Sequence, residues 1–129
     1  MKKPKSLPKL KAEAQILFNS WVRKRDEGLP CISCGEHKPD MQAGHYFAVG
    51  GYDGLRFNED NAHLECRYDN CFNESHLIHY GTNLIERIGK ERYNKLMSDA
   101  LAYKMNGYKW SRSEVTEIIA KYKKKLSEL

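Results

Sequence analysis

Cysteine and histidine crowd one part of this 129-residue chain, and that crowding limits what the chain can fold into. From Cys31 to His76 the sequence carries Cys31-Ile-Ser-Cys34, His37, Ala43-Gly-His45-Tyr46, Asn61-Ala-His63-Leu-Glu-Cys66, Cys71 and His76, and only His79 stands beyond. Four thiols in two pairs, with 31 residues between Cys34 and Cys66, suit a closed tetrahedral zinc site made by Cys31, Cys34, Cys66 and Cys71. Buried thiols or a disulfide are the alternatives. A zinc there would staple the first part of the chain to the second, a constraint that a small core needs. The second pair is two residues wider than the usual Cys-x-x-Cys. Redox chemistry is a poor fit, because a Cys-x-x-Cys outside a βαβ context is weak evidence for it.

With 40% hydrophobic and 30% charged residues the chain is globular in composition, and its length suits one domain. No apolar run approaches the ~20 residues of a membrane span, and Met1-Lys-Lys-Pro-Lys5 lacks the apolar core of a signal peptide. A reducing cytoplasm is therefore the expected location, with no membrane partner. A net charge of +5 is compatible with a polyanionic partner. The signs are uneven: Lys2, Lys3, Lys5, Lys9 and Lys11 precede Glu13, and Lys121, Lys123, Lys124 and Lys125 crowd the C-terminal end. These are either solvated faces or phosphate contacts.

Periodicity divides the chain into helical ends and an extended middle. Leu10, Ala14, Leu17, Phe18 and Trp21 share one helical face, and Gly28 and Pro30 stop that helix. Met41 to Ala48 reads as a strand, Leu55 to Phe57 as a short extended piece after the Gly50-Gly51 and Asp53-Gly54 turns, and Asn61 to Cys66 as another strand. Alternation sets Asn61, His63 and Glu65 on one face and Ala62, Leu64 and Cys66 on the other. From about Glu74 the pattern is helical: Leu77 to Ile88 closed by Gly89, then Tyr93 to Leu101, then a helix after the capping-box spacing Ser111-Arg-Ser-Glu114.

The string Leu29-Pro-Cys-Ile-Ser-Cys-Gly35, Ala43-Gly-His-Tyr46, Leu55-Arg-Phe-Asn-Glu-Asp-Asn61, His63-Leu64, Cys66 and Leu84-Ile85, Arg87-Ile88-Gly89 resembles the NinG (Rap) family of lambdoid phages. The resemblance extends over nearly the whole chain, through Lys109-Trp110. It implies an HNH-type, structure-specific endonuclease acting on recombination intermediates, including Holliday junctions, in the cytoplasm of a bacterial host. His45 falls where the family's first His stands and Asn61 where its Asn stands. A gapless reading puts Asp69 where the family has the last Cys of its second pair, so Asp69 is the lesser candidate for the fourth zinc ligand beside Cys71. The same reading puts His76 where the family commonly has Asn.

Phosphodiester hydrolysis needs a base for the attacking water, a cation for the developing charge, and something to hold the base. The resemblance thus assigns His45 as general base, Asn61 as the residue orienting it by hydrogen bond, and His76 as the main ligand of a catalytic Mg2+ or Mn2+. Asn70, Asn73, His63 and His79 are additional metal-ligand candidates. His63 and His79 each read more simply as a hydrogen-bonded or exposed histidine, and His37 as a solvated one. Gly44 departs from the many HNH enzymes that place a metal-binding Asp or His directly before the base. Arg56, Arg67 and Lys38 are phosphate-contact candidates by location alone.

The expected fold is α+β: a small zinc-bound ββα-metal (HNH-like) core flanked by N-terminal and C-terminal helices. As one domain, 1–129, it divides into a basic lead and helix (1–29), the knuckle and HNH-like core (30–89) and C-terminal helices (90–129). Branched DNA is the expected partner, and a homodimer built on the terminal helices would match a two-fold junction. The alternative is a zinc-stabilised nucleic-acid-binding module without catalysis.

Overall fold

The computed structural model describes residues 3–73 and 75–129. Lys2 of the basic lead and Glu74, at the expected start of the helical half, lie outside the described residues. The order is α1 (Leu7–Arg25), β1 (Met41–His45), a single 3-10 turn (Asp53–Leu55), β2 (Ala62–Cys66), α2 (Arg67–Cys71), α3 (His76–Ile88), α4 (Lys90–Asn106) and α5 (Arg112–Ser127). The class is mixed α+β.

Ser6 caps α1 by accepting from the Lys9 N–H at 3.3 Å, Pro8 sits in its first turn, and Arg23, Lys24 and Arg25 occupy the last turn, where cations suit the helix dipole. Its buried stripe is Ala14, Phe18, Trp21 and Val22. α5 begins with a complete capping box between Ser111 and Glu114 and buries Val115, Ile119 and Tyr122. The two terminal helices turn these faces on each other, with Tyr122 edge-on to Phe18 at 5.1 Å between ring centroids. α3 and α4 meet at Gly89, whose φ of +86° is a backbone region that favours glycine.

β1 and β2 form a two-stranded antiparallel sheet in which Met41 faces Cys66, Gln42 faces Glu65, Ala43 faces Leu64, Gly44 faces His63 and His45 faces Ala62. A hairpin of this size is marginal alone, and every residue of β2 is buried because both faces are covered. Ala43 and Ala62 join the α1–α5 core, whereas Tyr80 and Leu84 of α3, Leu96 and Ala100 of α4, Ile32 and Leu55 form a second core on the other side. The outer edge of β2 is also satisfied. Asp26 accepts from the Leu64 N–H at 3.0 Å, the Ile32 N–H donates to Leu64 O at 2.9 Å, and Arg25 donates to Ala62 O at 2.6 Å. Burial alone would raise the Asp26 carboxyl, but its bonds to Arg25 and Leu64 hold it below the usual range.

The middle differs from the expected pattern in three places. β1 ends at His45, three residues short of Ala48, because the Ala48 carbonyl accepts from both Gly51 and Tyr52 in a turn. Leu55 to Phe57 is not extended: Leu55 N–H bonds to Tyr52 O at 2.9 Å and Asn58 N–H to Leu55 O at 3.1 Å, so the segment coils. The one-turn helix α2 directly follows β2.

Candidate metal centre and histidine sites

The loop after α1 brings Cys31 and Cys34 to the end of β2. One ligand atom each from Cys31, Cys34, Cys66 and Asp69 lies within 4.8 Å of the others. The Asp69 Oδ2 is 3.1 Å from Cys66 Sγ and 3.5 Å from Cys31 Sγ. Tetrahedral zinc with bonds of about 2.3 Å to sulfur and 2.0–2.2 Å to oxygen separates such ligands by roughly 3.5–3.8 Å, so this donor set could hold a structural metal after small adjustments. Two backbone N–H groups, from Cys34 at 3.4 Å and Cys66 at 3.3 Å, donate to Cys31 Sγ and fix its position in the cluster.

Asp69 stands in the corner expected of Cys71. Cys66 precedes the first turn of α2, and the residue three further on folds back over it; Cys-x-x-Asp has the reach of Cys-x-x-Cys. Cys71 is exposed, with its Sγ 3.4 Å from Gln42 Oε1 and outside the cluster. Burial pushes the Cys66 thiol up to about 12, and burial also raises Cys34. The Asp69 carboxyl is held at about 2: burial opposes this, but hydrogen bonds from Asn73 and the thiols outweigh it. Asn73 Nδ2 donates to Asp69 Oδ1 at 2.9 Å, so Asn73 orients a cluster ligand.

His45 closes β1 on the α1 side, its ring 6.0 Å from that of Phe18. Its Nε2 is 3.1 Å from the Arg56 carbonyl oxygen. A carbonyl only accepts, so Nε2 carries the proton and Nδ1 keeps the lone pair of a neutral imidazole. Burial, opposed by that hydrogen bond, lowers His45 below its ordinary 6.5.

Asn61 is fully buried and has other partners than the expected His45. Its Oδ1 accepts from the Phe47 N–H at 2.8 Å, and its Nδ2 donates to Phe47 O at 3.0 Å and Leu55 O at 3.3 Å. It therefore pins both ends of the loop between the strands, and the residue after Leu55 supplies the carbonyl that holds His45. The Arg56 side chain is committed locally, to Gln15 Oε1 at 2.9 Å and Asp53 Oδ1 at 3.0 Å.

The opposite face of the hairpin holds the second histidine site. His76, at the start of α3, places Nδ1 2.7 Å from Glu65 Oε2. Ser33 Oγ donates to the same oxygen, and the carboxylate is 0% exposed. His45 and His76 thus approach the hairpin from opposite sides and do not touch. His63 is a core residue: its Nδ1 is 3.4 Å from Tyr80 Oη, and burial, then Arg25, lowers it to about 4. His79 and His37 are exposed, as are Lys38 and Arg67, the latter over the Phe72 ring. Asn70 donates to Gln42 Oε1 at 2.7 Å.

Glu65 and Ser33 escaped the sequence reading as site residues. The one available signal for Glu65 was its place beside His63 in the strand alternation. Nothing in the pattern marked Ser33.

A sheet of two strands, packed between helices and closed at one end by a three-thiol, one-carboxylate cluster, defines a small α+β protein with a candidate structural metal site. The family described as "Bacteriophage Lambda NinG protein" matches residues 1–129, and the chain belongs to the NinG family. It is 37% identical over 118 residues to "Protein ninG" of Escherichia phage lambda, covering 91% of this chain and 55% of that protein. Proteins of the same name from Escherichia phage 933W and Salmonella phage P22 are 37% and 36% identical, each over 91% of this chain and 56% of the relative. The chain thus spans a little over half the length of these relatives. No solved structure matches it.

Proposed function

We propose that this chain is a metal-dependent endonuclease of the HNH kind that acts on branched DNA such as Holliday junctions. The observation that carries the reading is the His45 imidazole held through Nε2 by a backbone carbonyl of a loop that Asn61 pins. Such a histidine is kept neutral and aimed, which is what a general base requires. His45 Nδ1 would take the proton of the attacking water. Asn61 acts through the loop, as a positioning residue. His76, with the Glu65 carboxylate beside it, would hold the Mg2+ or Mn2+. That ion would supply charge stabilisation for the phosphate and the leaving oxygen. The cysteine cluster with Asp69 would hold a structural zinc that fixes β2 to the knuckle.

A second reading is a zinc-stabilised nucleic-acid-binding module without catalysis. It is favoured by the separation of His45 and His76 across the hairpin. A labelled four-way junction and its linear duplex, incubated with Mg2+, Mn2+ or EDTA, distinguish the two. The nuclease reading expects metal-dependent nicking with preference for the junction. Junction binding without nicking under either metal would favour the module.

A further inference from the structure

The one-turn helix α2 is held from within by its polar side chains. Asp69 closes the cysteine cluster, Asn70 donates to Gln42 Oε1 at 2.7 Å, and Asn73, just past the turn, donates to Asp69 Oδ1 at 2.9 Å. The turn is therefore fixed, and what it carries outward is fixed with it. The Phe72 N–H bonds to Tyr68 O at 2.9 Å, so Tyr68 and Phe72 stand one helical turn apart on the same side. They are 61% and 65% exposed. The Arg67 guanidinium lies over the Phe72 ring, 5.9 Å from its centroid.

One exposed ring would call for no explanation. Two on one anchored turn, with a guanidinium laid on one of them, do call for one, because neither ring belongs to either core. Flat aromatic faces beside a positive charge are the combination that holds an unstacked nucleobase: a ring takes the base face and the cation takes the adjoining phosphate. The charge extends beyond Arg67. Arg67 and Arg23 line one open pocket of about 340 Å3 together with Asp40, Met41 and Gln42, in a chain whose net charge is +5. After Phe72 the backbone turns straight into α3, with the His76 N–H bonded to Asn73 O at 3.1 Å, so the rings adjoin the segment that leads to His76.

We propose that Tyr68 and Phe72, with Arg67, form a stacking platform for a nucleobase exposed at a DNA branch point, and so select branched DNA over continuous duplex. At a branch the base stack is interrupted, which opens a base face that a linear duplex keeps covered. As substrate selection by a nuclease this rests on the proposed function, but the stacking itself needs no cleavage.

The test uses the zinc-loaded chain in Ca2+, with a four-way junction and a linear duplex of the same sequence, each carrying 5-iodouracil at its centre or in an arm. Ultraviolet light joins this base to an aromatic ring stacked on it. Peptide mapping of the wild type should find the crosslink on Tyr68 or Phe72, and only with the base at the branch point. Replacing both residues, Tyr68→Ala with Phe72→Ala, should weaken junction binding by roughly tenfold or more and leave duplex binding within about twofold. Tyr68→Phe should bind as the wild type does, because the ring and not the hydroxyl stacks. The crosslink map of the wild type decides the matter if the double variant loses its zinc. Equal losses on junction and duplex, or crosslinks to other residues alone, would overturn the platform. A wild-type dimer that the double variant splits would overturn it too, since the patch would then bind a second copy of the chain. Ring-dependent preference for the junction in a chain that cuts no DNA with Mg2+ or Mn2+ would leave the platform standing and remove the nuclease. Cleavage whose junction preference survives the double substitution would do the reverse.

Discussion

A carboxylate in the fourth corner of the cysteine cluster changes what neighbouring residues must do. Three thiolates tolerate a metal with little outside help, but a carboxylate has a second oxygen, and here Asn73 occupies it. Ionisation of Cys34, and then of Cys66, would raise the exposed Lys38 ammonium above its ordinary value, since this lysine stands beside the cluster. Asp69→Ala should therefore weaken zinc binding by roughly tenfold or more, whereas Cys71→Ser should retain one zinc per chain. Metal analysis after dialysis against a chelator reads both, and the opposite pattern would make Cys71 the ligand. The three cysteines of the cluster were legible from spacing. The fourth was ambiguous, because a Cys two residues too far and an Asp at the right distance compete, and only the turn of α2 decides between them. Glu65 was illegible for a different reason: a glutamate in a strand reads as a solvent-facing residue until a helix is seen to cover it.

At the scale of elements, the loop between β1 and β2 is the part whose order is most concentrated in one side chain. Asn61 makes its three backbone hydrogen bonds where water cannot replace them. Asn61→Ala would leave the Phe47 N–H and the Phe47 carbonyl short of partners and the Leu55 carbonyl with Asn58 N–H alone, a loss of about 2–4 kcal/mol. Denaturant unfolding should show that loss. Hydrogen exchange of the amides from 47 to 58 should quicken more than that of α1, because the local pin is removed. Uniform acceleration across the chain would mean that Asn61 serves only global stability. The four long helices α1, α3, α4 and α5 were well announced in the sequence, since apolar spacing and the Ser111–Glu114 cap are local signals, whereas the short α2 was not. The coil at Leu55–Phe57 was not, because Leu-Arg-Phe alternates like a strand. The deciding contacts are with Lys11, whose Nζ is 3.0 Å from Asp53 Oδ2, and with Trp110, whose Nε1 donates to Asp53 O at 3.0 Å. Both come from distant parts of the sequence.

Across the whole molecule, a two-stranded hairpin is held between two cores, with α1 and α5 on one face and α3 and α4 on the other. Periodicity showed that each helix had a buried face but not which helix it would meet, so the pairing of the two chain ends was not legible. That pairing commits the apolar stripes of α1 and α5 to each other. No helix among the described residues is long and apolar enough to cross a membrane. The hairpin's position gives the molecule two histidine sites, one on each face: His45 with its carbonyl partner, and His76 with its buried glutamate. A nuclease requires both to serve one phosphodiester, and Glu65, bonded to His76, packs against Gly44, the residue before His45.

The most direct test of that account is the single-turnover cleavage rate of a labelled four-way junction by wild type and His45→Ala, with junction binding measured in parallel. The account predicts that His45→Ala cuts roughly a hundredfold slower or worse, binds within a few fold, and that the acid limb of the wild-type rate lies below pH 6.5, because burial lowers His45. Equal cutting by the two proteins, or loss of cutting and binding together, would contradict it.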